Sequence, residues 1–187
     1  GQRGAFAGPL DHGLMGLMAL VPQVADAVAV PVIAAGGIMD GRGIAAALAL
    51  GASAAQLGTA FLGADECGWG ASHRAALWQG REDTTALTDA FTGKPARGLR
   101  NRFMVEAFER HLPKAPYPAQ YGIGVDLYRK AAATGRHDLM AVWAGQGVAA
   151  LRRCPAAELV RTLARELEDS LAQGGRVKAV IAPGGAG

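Results

Sequence analysis

The sequence predicts an α/β protein that contains part of a (β/α)8 TIM barrel, followed by a mostly helical region. Two short apolar runs, 29–35 and 54–57, each end in small or polar residues, and an alanine-rich stretch of helical length joins them. Strand, glycine turn, helix and strand in this order are typical of a parallel sheet. Because such turns present backbone N–H groups, two of them in succession indicate the phosphate-binding edge of a barrel.

The helices are predicted from apolar residues that recur at spacings of three and four, and the strands from short apolar runs. Asp40 stands at the N-cap position of the helix after the first strand, and Gly51 ends that helix. The predicted elements up to residue 91 are a helix over 14–28 with Pro22 near its start, a strand over 29–35, a helix over 43–50, a strand over 54–57, a helix over 72–79 and an edge strand over 84–91.

The remainder of the chain is predicted to be mostly helical. Residues 93–100 are polar and basic and carry no predicted element, and 113–118 is a proline-rich extended connection. Helices are predicted over 103–111, 125–134 and 156–172. The predicted organisation is 1–100 for the C-terminal βα units of the barrel, 101–173 for the helical region and 174–187 for a flexible tail.

The composition of the 187-residue chain is that of a soluble globular protein, because 50% of the residues are hydrophobic and 19% are charged. The formal net charge of +3 is small and the arginines are dispersed, so nucleic-acid binding is not indicated. Cys67 and Cys154 have no metal or redox spacing, which favours a reduced, cytoplasmic chain. Prolines and polar residues interrupt the apolar stretch 14–35, so no membrane span is predicted there.

The candidate phosphate ligands follow the two predicted strands. Gly36 and Gly37 come after the first strand, and the run 56–59 comes at the end of the second. Glycine lets the backbone approach phosphate oxygens beside a helix N-terminus, and the Thr59 hydroxyl adds a donor. Gln56 is a polar residue in an apolar strand, so it needs a partner. One glycine pair alone indicates an ordinary turn, whereas its repetition one βα unit later favours phosphate binding.

Two further groups of residues have more than one interpretation. Arg97 and Arg100, like Arg3, could face a phosphate or an acidic substrate, but surface arginines are the usual case. Tyr117 and Tyr121 lie beside prolines, where contact with a substrate and packing within the helical region are equally expected.

Several segments, in order, resemble the nitronate monooxygenase (2-nitropropane dioxygenase) family. They are LVPQV (20–24), PVIAAGGI (31–38), DGRGIAAALALG (40–51), QLGTAFL (56–62), FTGKPARGLRN (91–101), PYP (116–118) and WAGQG (143–147). The resemblance covers residues 1–150 and corresponds to the C-terminal half of the family.

The resemblance implies an FMN-binding TIM barrel with a helical substrate-side region. The implied reaction is FMN-dependent oxidation of alkyl nitronates by O2, with no nucleic-acid or membrane partner. Carried over position by position, Gly37 and the residues Gln56, Leu57, Gly58 and Thr59 would bind FMN, with Gly36 in the same turn as Gly37.

Two departures from the family pattern bear on catalysis. Gln2 stands where the family has its catalytic histidine, and glutamine cannot transfer a proton near neutral pH. The family segments upstream of that position are absent, so the chain is expected to be a truncated form that binds FMN poorly alone and aggregates. Two alternatives remain open: a non-catalytic half-barrel that needs a complementary chain, and a related flavin-dependent enoyl-thioester reductase that uses NAD(P)H.

Overall fold

The computed structural model describes the backbone of residues 14–181 and the side chains of 14–173. The elements within this range are α1 (Leu17–Ala27), β1 (Ile33–Ala35), α2 (Gly41–Ala49), β2 (Ala54–Gln56), α3 (Ala71–Trp78), β3 (Thr85–Thr88), β4 (Ala96–Leu99), α4 (Arg102–Glu109), α5 (Ala119–Ala133) and α6 (Ala156–Ile181). Short 3-10 helices lie at Thr59–Gly63, His137–Leu139 and Val148–Ala150.

The predicted βαβ unit is confirmed. Strand β1 pairs in parallel with β2, from Ile33 opposite Ala54 to Ala35 opposite Gln56, and α2 connects the two strands. Gly51 ends α2 with φ +98°, a conformation that favours glycine. The buried side chains that hold this unit together come from α1, β1, α2 and the segments between them: Val21, Ala34, Ile38, Ala47 and Ala52.

Helix α2 lies against the C-terminal helix α6 at very short range. A Cβ atom added to Gly41 would be 2.2 Å from the backbone carbonyl carbon of Glu166, so only glycine fits at this contact. The side chains of Met39, Ala60, Leu159 and Leu163 form a buried cluster nearby. The last helix therefore braces the βαβ unit from outside.

Strands β3 and β4 form an antiparallel hairpin, from Thr85 opposite Leu99 to Thr88 opposite Ala96. The interpretation of 93–100 as a stretch without an element is wrong for β4. Its glycine, proline and arginine mask the strand signal, and pairing on both edges stabilises it: Gly98 forms a bridge with Trp143 on the side away from β3. A Cβ at Gly98 would lie 2.7 Å from the carbonyl oxygen of Val142, which explains the glycine.

The largest buried cluster joins residues from both sides of position 100. Its members are Ala76, Leu77, Leu99, Ala131, Met140, Val142, Ala144 and Val148. Phe91 is buried beside it and stacks on Phe103, with ring centroids 4.7 Å apart. The division of the chain at residue 100 stays a prediction, whereas the continuous packing across that position is observed.

Several predicted boundaries differ from the structure, since β1 begins at Ile33 and not at 29, and β3 ends at Thr88 and not at 91. Pro22 lies well inside α1 rather than near its start, and costs the helix one N–H donor. Helix α5 begins at Ala119, six residues before the predicted start at 125. Helix α6 runs to Ile181, so the first part of the segment predicted as a flexible tail is helical, because glycine within a helix is tolerated at a cost of about 1 kcal/mol. Residues 182–187 lie outside the described residues.

The two-stranded parallel sheet leaves apolar side chains exposed. Ile33 of β1 is 62% exposed, and Val30 in the segment before β1 is 68% exposed. Within the described residues, β1 and β2 pair only with each other, so each strand has one open edge. The strands of a parallel sheet are normally covered on both faces. An exposed apolar face on β1 is therefore unusual for a parallel sheet in a globular domain.

Candidate functional site

A cavity of about 950 Å³ lies where β1 and β2 end. One group of lining residues comes from the turns after these strands, and the other comes from the 92–97 region, the 117–121 region and the loop at 143–145. Ligand-binding clefts in parallel α/β proteins lie at the carboxyl ends of the strands. The cavity is therefore in the expected place for a cofactor.

The first turn, Gly36 and Gly37, requires glycine at both positions. Their φ angles are +125° and +73°, which side-chain-bearing residues rarely adopt. A Cβ at Gly37 would meet no atom of the described residues within 4 Å. The backbone of this turn is therefore open to a ligand in the cavity.

The second turn, Gly58 and Thr59, is open in the same way. Within the part of the chain that the structure describes, a Cβ at Gly58 would also meet nothing within 4 Å. The Thr59 hydroxyl accepts a 2.8 Å hydrogen bond from the N–H of Gly145, which leaves its own O–H proton to donate elsewhere. The loop containing Gly145 also reaches the first turn, because a Cβ at Gly147 would be 3.2 Å from the carbonyl oxygen of Gly37. The 143–147 loop thus ties both turns together.

The first N–H groups of α2 are taken by carboxylates. Asp40 accepts from Gly43 N at 2.9 Å, and Glu166 accepts from Gly41 N at 3.0 Å. Burial raises the pKa of Asp40, but the Gly43 N–H and the Arg42 guanidinium outweigh it and hold that pKa below its usual value. These two N–H groups are therefore not available to a phosphate, and the two turns offer other donors.

Arg97 lines the cavity and is not the surface arginine that the sequence suggested. Its Nη1 donates to the carbonyl and hydroxyl oxygens of Thr85, both at 3.2 Å. Its Nε is buried and has no hydrogen-bond partner among the described residues. Burial lowers the pKa of the Arg97 guanidinium from its usual value. Arg100, by contrast, is exposed as expected.

Aromatic side chains complete the lining. Tyr117, Tyr121 and Trp143 all border the cavity. Tyr117 is 49% exposed and Tyr121 is 50% exposed, so neither is a core packing residue. Of the two interpretations of these tyrosines, contact with a ligand is favoured.

The structure brings most of the predicted site residues together. Gly36, Gly37, Gln56, Gly58 and Thr59 all line the cavity. Leu57 does not; it packs against the buried cluster around Val21 and Ala34.

Two predicted residues do not have the predicted surroundings. The Gln56 side chain is exposed and forms no hydrogen bond with another described residue, so its expected partner is missing. Gln2 lies outside the described residues. The sequence did not identify Arg97 as a site residue, because its burial depends on strand β4, which was not predicted. The only signal in the sequence was a basic residue close to the predicted edge strand over 84–91.

Two other kinds of site find no support in the described part of the chain. No group of histidine, cysteine, aspartate and glutamate side chains there has the geometry to hold a metal ion. Over the same residues, no helix combines the length and the apolarity that crossing a bilayer requires.

The family model described as Nitronate monooxygenase matches residues 1–166. The nitronate monooxygenase of Pseudomonas aeruginosa is 49% identical over 168 residues, which are 89% of this chain and 48% of that protein. The probable nitronate monooxygenase of Bacillus subtilis is 44% identical over 151 residues, which are 81% of this chain and 44% of that protein. The chain spans about half the length of these curated relatives.

Two solved structures are also similar to this chain. Nitroalkane oxidase from Streptomyces ansochromogenes is similar with a TM-score of 0.80 and 47% identity, over 87% of this chain and 46% of that one. FabK from Thermotoga maritima is similar with a TM-score of 0.73 and 29% identity, over 90% of this chain and 53% of that one. The ordered motifs, the paired turns and these similarities agree: the chain belongs to the nitronate monooxygenase family.

Proposed function

We propose that this chain forms the FMN-phosphate-binding part of a flavoenzyme that oxidises alkyl nitronates with O2. The observation that carries the proposal is the convergence of the two turns on one cavity, with Thr59 held by Gly145. The family membership and the similarity to a nitroalkane oxidase support the same reaction class.

The donor set suits a phosphate dianion. The turns offer backbone N–H groups beside open space at Gly37 and Gly58, and Thr59 offers a hydroxyl proton. None of the described residues that line the cavity is acidic. A doubly charged group therefore meets no carboxylate among the described lining residues.

When bound, FMN supplies the capacity to accept electrons from the substrate and to pass them to O2. The role of this chain is to anchor and orient that cofactor. Gly36, Gly37, Gly58 and Thr59 hold its phosphate, and the exposed amide of Gln56 is free to hydrogen-bond the rest of the molecule. Leu57 supports the turn from the core side.

Gln2 has a restricted role in this proposal. Its amide donates and accepts hydrogen bonds and so can hold a substrate oxygen, but it does not exchange a proton near neutral pH. A nitronate is already deprotonated at carbon, so this substrate class needs less proton transfer than a neutral nitroalkane. The glutamine therefore favours the nitronate as the substrate.

A complementary half of the barrel completes the site. The open strand edges and the exposed Val30 and Ile33 side chains are the surface that additional strands would cover. These strands come from a longer polypeptide or from a separate chain. Without them the chain binds FMN weakly and self-associates through this surface.

An enoyl-thioester reductase that uses NAD(P)H is the second candidate, because the structure is also similar to FabK. The two reactions consume different co-substrates. A non-catalytic half-barrel is the third candidate, and it would consume neither.

The deciding experiment mixes the purified chain with the N-terminal half of a full-length relative and FMN. We expect O2 uptake that depends on an alkyl nitronate, and a higher rate with neutral nitroalkane after Gln2→His. NAD(P)H oxidation that depends on an enoyl thioester, without nitronate-dependent O2 uptake, would support the second candidate instead. Absence of both reactions in a flavin-loaded complex would support the third.

A further inference from the structure

The hydrogen bonds of the Arg97 guanidinium are unevenly distributed. Nη1 is committed to Thr85, while Nε is buried without an acceptor and Nη2 has no hydrogen-bond partner among the described residues. No carboxylate of the described residues forms an ion pair with it, whereas Arg136 pairs with Asp138 and Arg102 with Glu106. One edge of the guanidinium is thus fixed and the other is unsatisfied.

The backbone that carries Arg97 is held on both sides. Arg97 pairs with Leu87 of β3 in the hairpin. The carbonyl oxygen of Arg97 accepts a 3.2 Å hydrogen bond from Ala144 N. The side chain therefore projects from a braced strand and not from a loose loop. A buried charged donor without an acceptor is costly, and such groups in native structures usually have a functional reason.

The unsatisfied edge has a defined chemistry. Nε is closed off from solvent and cannot reach a ligand in the cavity, whereas the N–H donors of Nη2 match an anionic oxygen, as in a carboxylate or a nitronate. The same cavity is bordered by Tyr117, Tyr121 and Trp143, whose rings offer apolar surface to an alkyl chain. An alkyl group with a carboxylate or a nitronate at its end satisfies both features.

We propose that Arg97 is a substrate-binding residue whose Nη2 donates a charge-assisted hydrogen bond to an oxygen of a carboxylate or nitronate. It thereby selects alkyl nitronates, and their carboxylate analogues, over neutral molecules of the same shape. The nitronate part of this statement rests on the proposed function. The selection of an anion over a neutral analogue does not depend on flavin or on turnover.

The FMN phosphate is a second oxyanion that could reach Arg97. The two turns already supply its donors, and the aromatic lining is unsuited to a phosphate, so we assign Arg97 to the substrate. The two sources are separable by experiment because riboflavin lacks the phosphate.

The test measures binding of butanoate and of butanamide to the full chain by the change in tryptophan fluorescence, with Trp143→Phe identifying the signal from the cavity. We expect Arg97→Met to weaken butanoate binding by about tenfold or more and to leave butanamide unchanged, since charge-assisted hydrogen bonds are lost. Arg97→Lys should recover part of the affinity because it keeps the positive charge but places it differently. Arg100→Met is the matched control and should bind butanoate like the unmodified chain.

A parallel titration compares FMN with riboflavin in the presence of the complementary half-barrel. The ratio of the two affinities should be the same for Arg97→Met and the unmodified chain. The proposal is overturned if Arg97→Met binds butanoate normally, if it loses butanoate and butanamide equally, or if it loses only the preference for FMN over riboflavin. Because butanoate binding is read without flavin or O2, it can succeed even if nitronate oxidation fails.

Discussion

The hydroxyl oxygen of Thr59 accepts a 2.8 Å hydrogen bond from the backbone N–H of Gly145, although 86 residues separate the two in sequence. This contact fixes the second turn of the cavity against the loop that also packs on the first turn. It orients the Thr59 hydroxyl so that its proton is available to a ligand. One side chain thus organises the site and serves in it.

Replacing Thr59 should separate these two roles. Thr59→Val leaves the buried Gly145 N–H without its acceptor, which should lower the free energy of unfolding by about 1–3 kcal/mol and weaken FMN binding. Thr59→Ser keeps the hydroxyl and is the control that should retain both. Urea unfolding and FMN titration in the presence of the complementary half-barrel measure the two effects. A valine variant as stable as the serine variant would contradict this role of the contact.

The close approach of α2 and α6 predicts a large effect at Gly41. Gly41→Ala places a Cβ 2.2 Å from the backbone of Glu166, where no flexible side chain can move away. Separating the two helices should cost at least about 1–3 kcal/mol of unfolding free energy, measured in urea. Gly122→Ala is the matched control, because that helical glycine has nothing within 4 Å of the added atom. The control should be neutral or stabilising by about 0.5–1 kcal/mol.

His73 predicts a pH dependence of stability. It is only 2% exposed and stacks on Trp69, and neither ring nitrogen has a hydrogen-bond partner in the described part of the chain. Burial lowers the pKa of His73 below its usual value of 6.5, so the folded chain binds its proton less readily than the unfolded chain. Its contribution to stability is therefore complete above the unfolded pKa and is lost as the pH falls below about 6.5.

Urea unfolding at about pH 7.5 and about pH 5.5 measures this dependence. His73→Phe keeps an aromatic ring against Trp69 and should reduce the stability difference between the two pH values. His111→Asn is the control, because His111 is exposed and asparagine tolerates its φ of +49°. An unchanged pH dependence in the phenylalanine variant would mean that other groups control it.

The exposed strand face predicts self-association of the isolated chain. Ile33→Lys places a charge on the open face of β1 and should shift the chain towards the monomer in size-exclusion chromatography. Ile123→Lys changes an isoleucine that is 75% exposed on α5, and it should leave the elution volume unchanged. The same Ile33 variant should fail to combine with the complementary half-barrel. If Ile33→Lys and Ile123→Lys had the same elution volume, the face that contains Ile33 would not be the surface through which the chain self-associates.

The sequence was sufficient for the βαβ unit and for the turns that follow its strands. Apolar runs, the Asp40 cap and the glycines are local signals, and the structure places each in its predicted element. Strand β4 was not predictable in the same way, because Gly98 fits only through its approach to Val142, more than forty residues away. The burial of Arg97 follows from that pairing and was missed with it.

The electrostatic contacts between residues far apart in the chain could not be predicted from the sequence either. Glu166 accepts from Gly41 N and forms a 2.8 Å ion pair with Arg152 that lacks hydrogen-bond alignment. A charge pattern on α6 predicts only a polar face, since it does not show which helix terminus that face will meet. The site's glycines were therefore predictable, whereas its supporting contacts were not.

The most direct measurement is the affinity of FMN relative to riboflavin for the chain combined with its complementary half-barrel, with Gly58→Val as the variant. If the two turns hold the phosphate, FMN should bind about 100-fold more tightly than riboflavin, and Gly58→Val should remove that preference. The chain alone should bind FMN weakly. Equal affinities for FMN and riboflavin, or a yellow, monomeric and stoichiometric complex of FMN with the chain alone, would contradict the account.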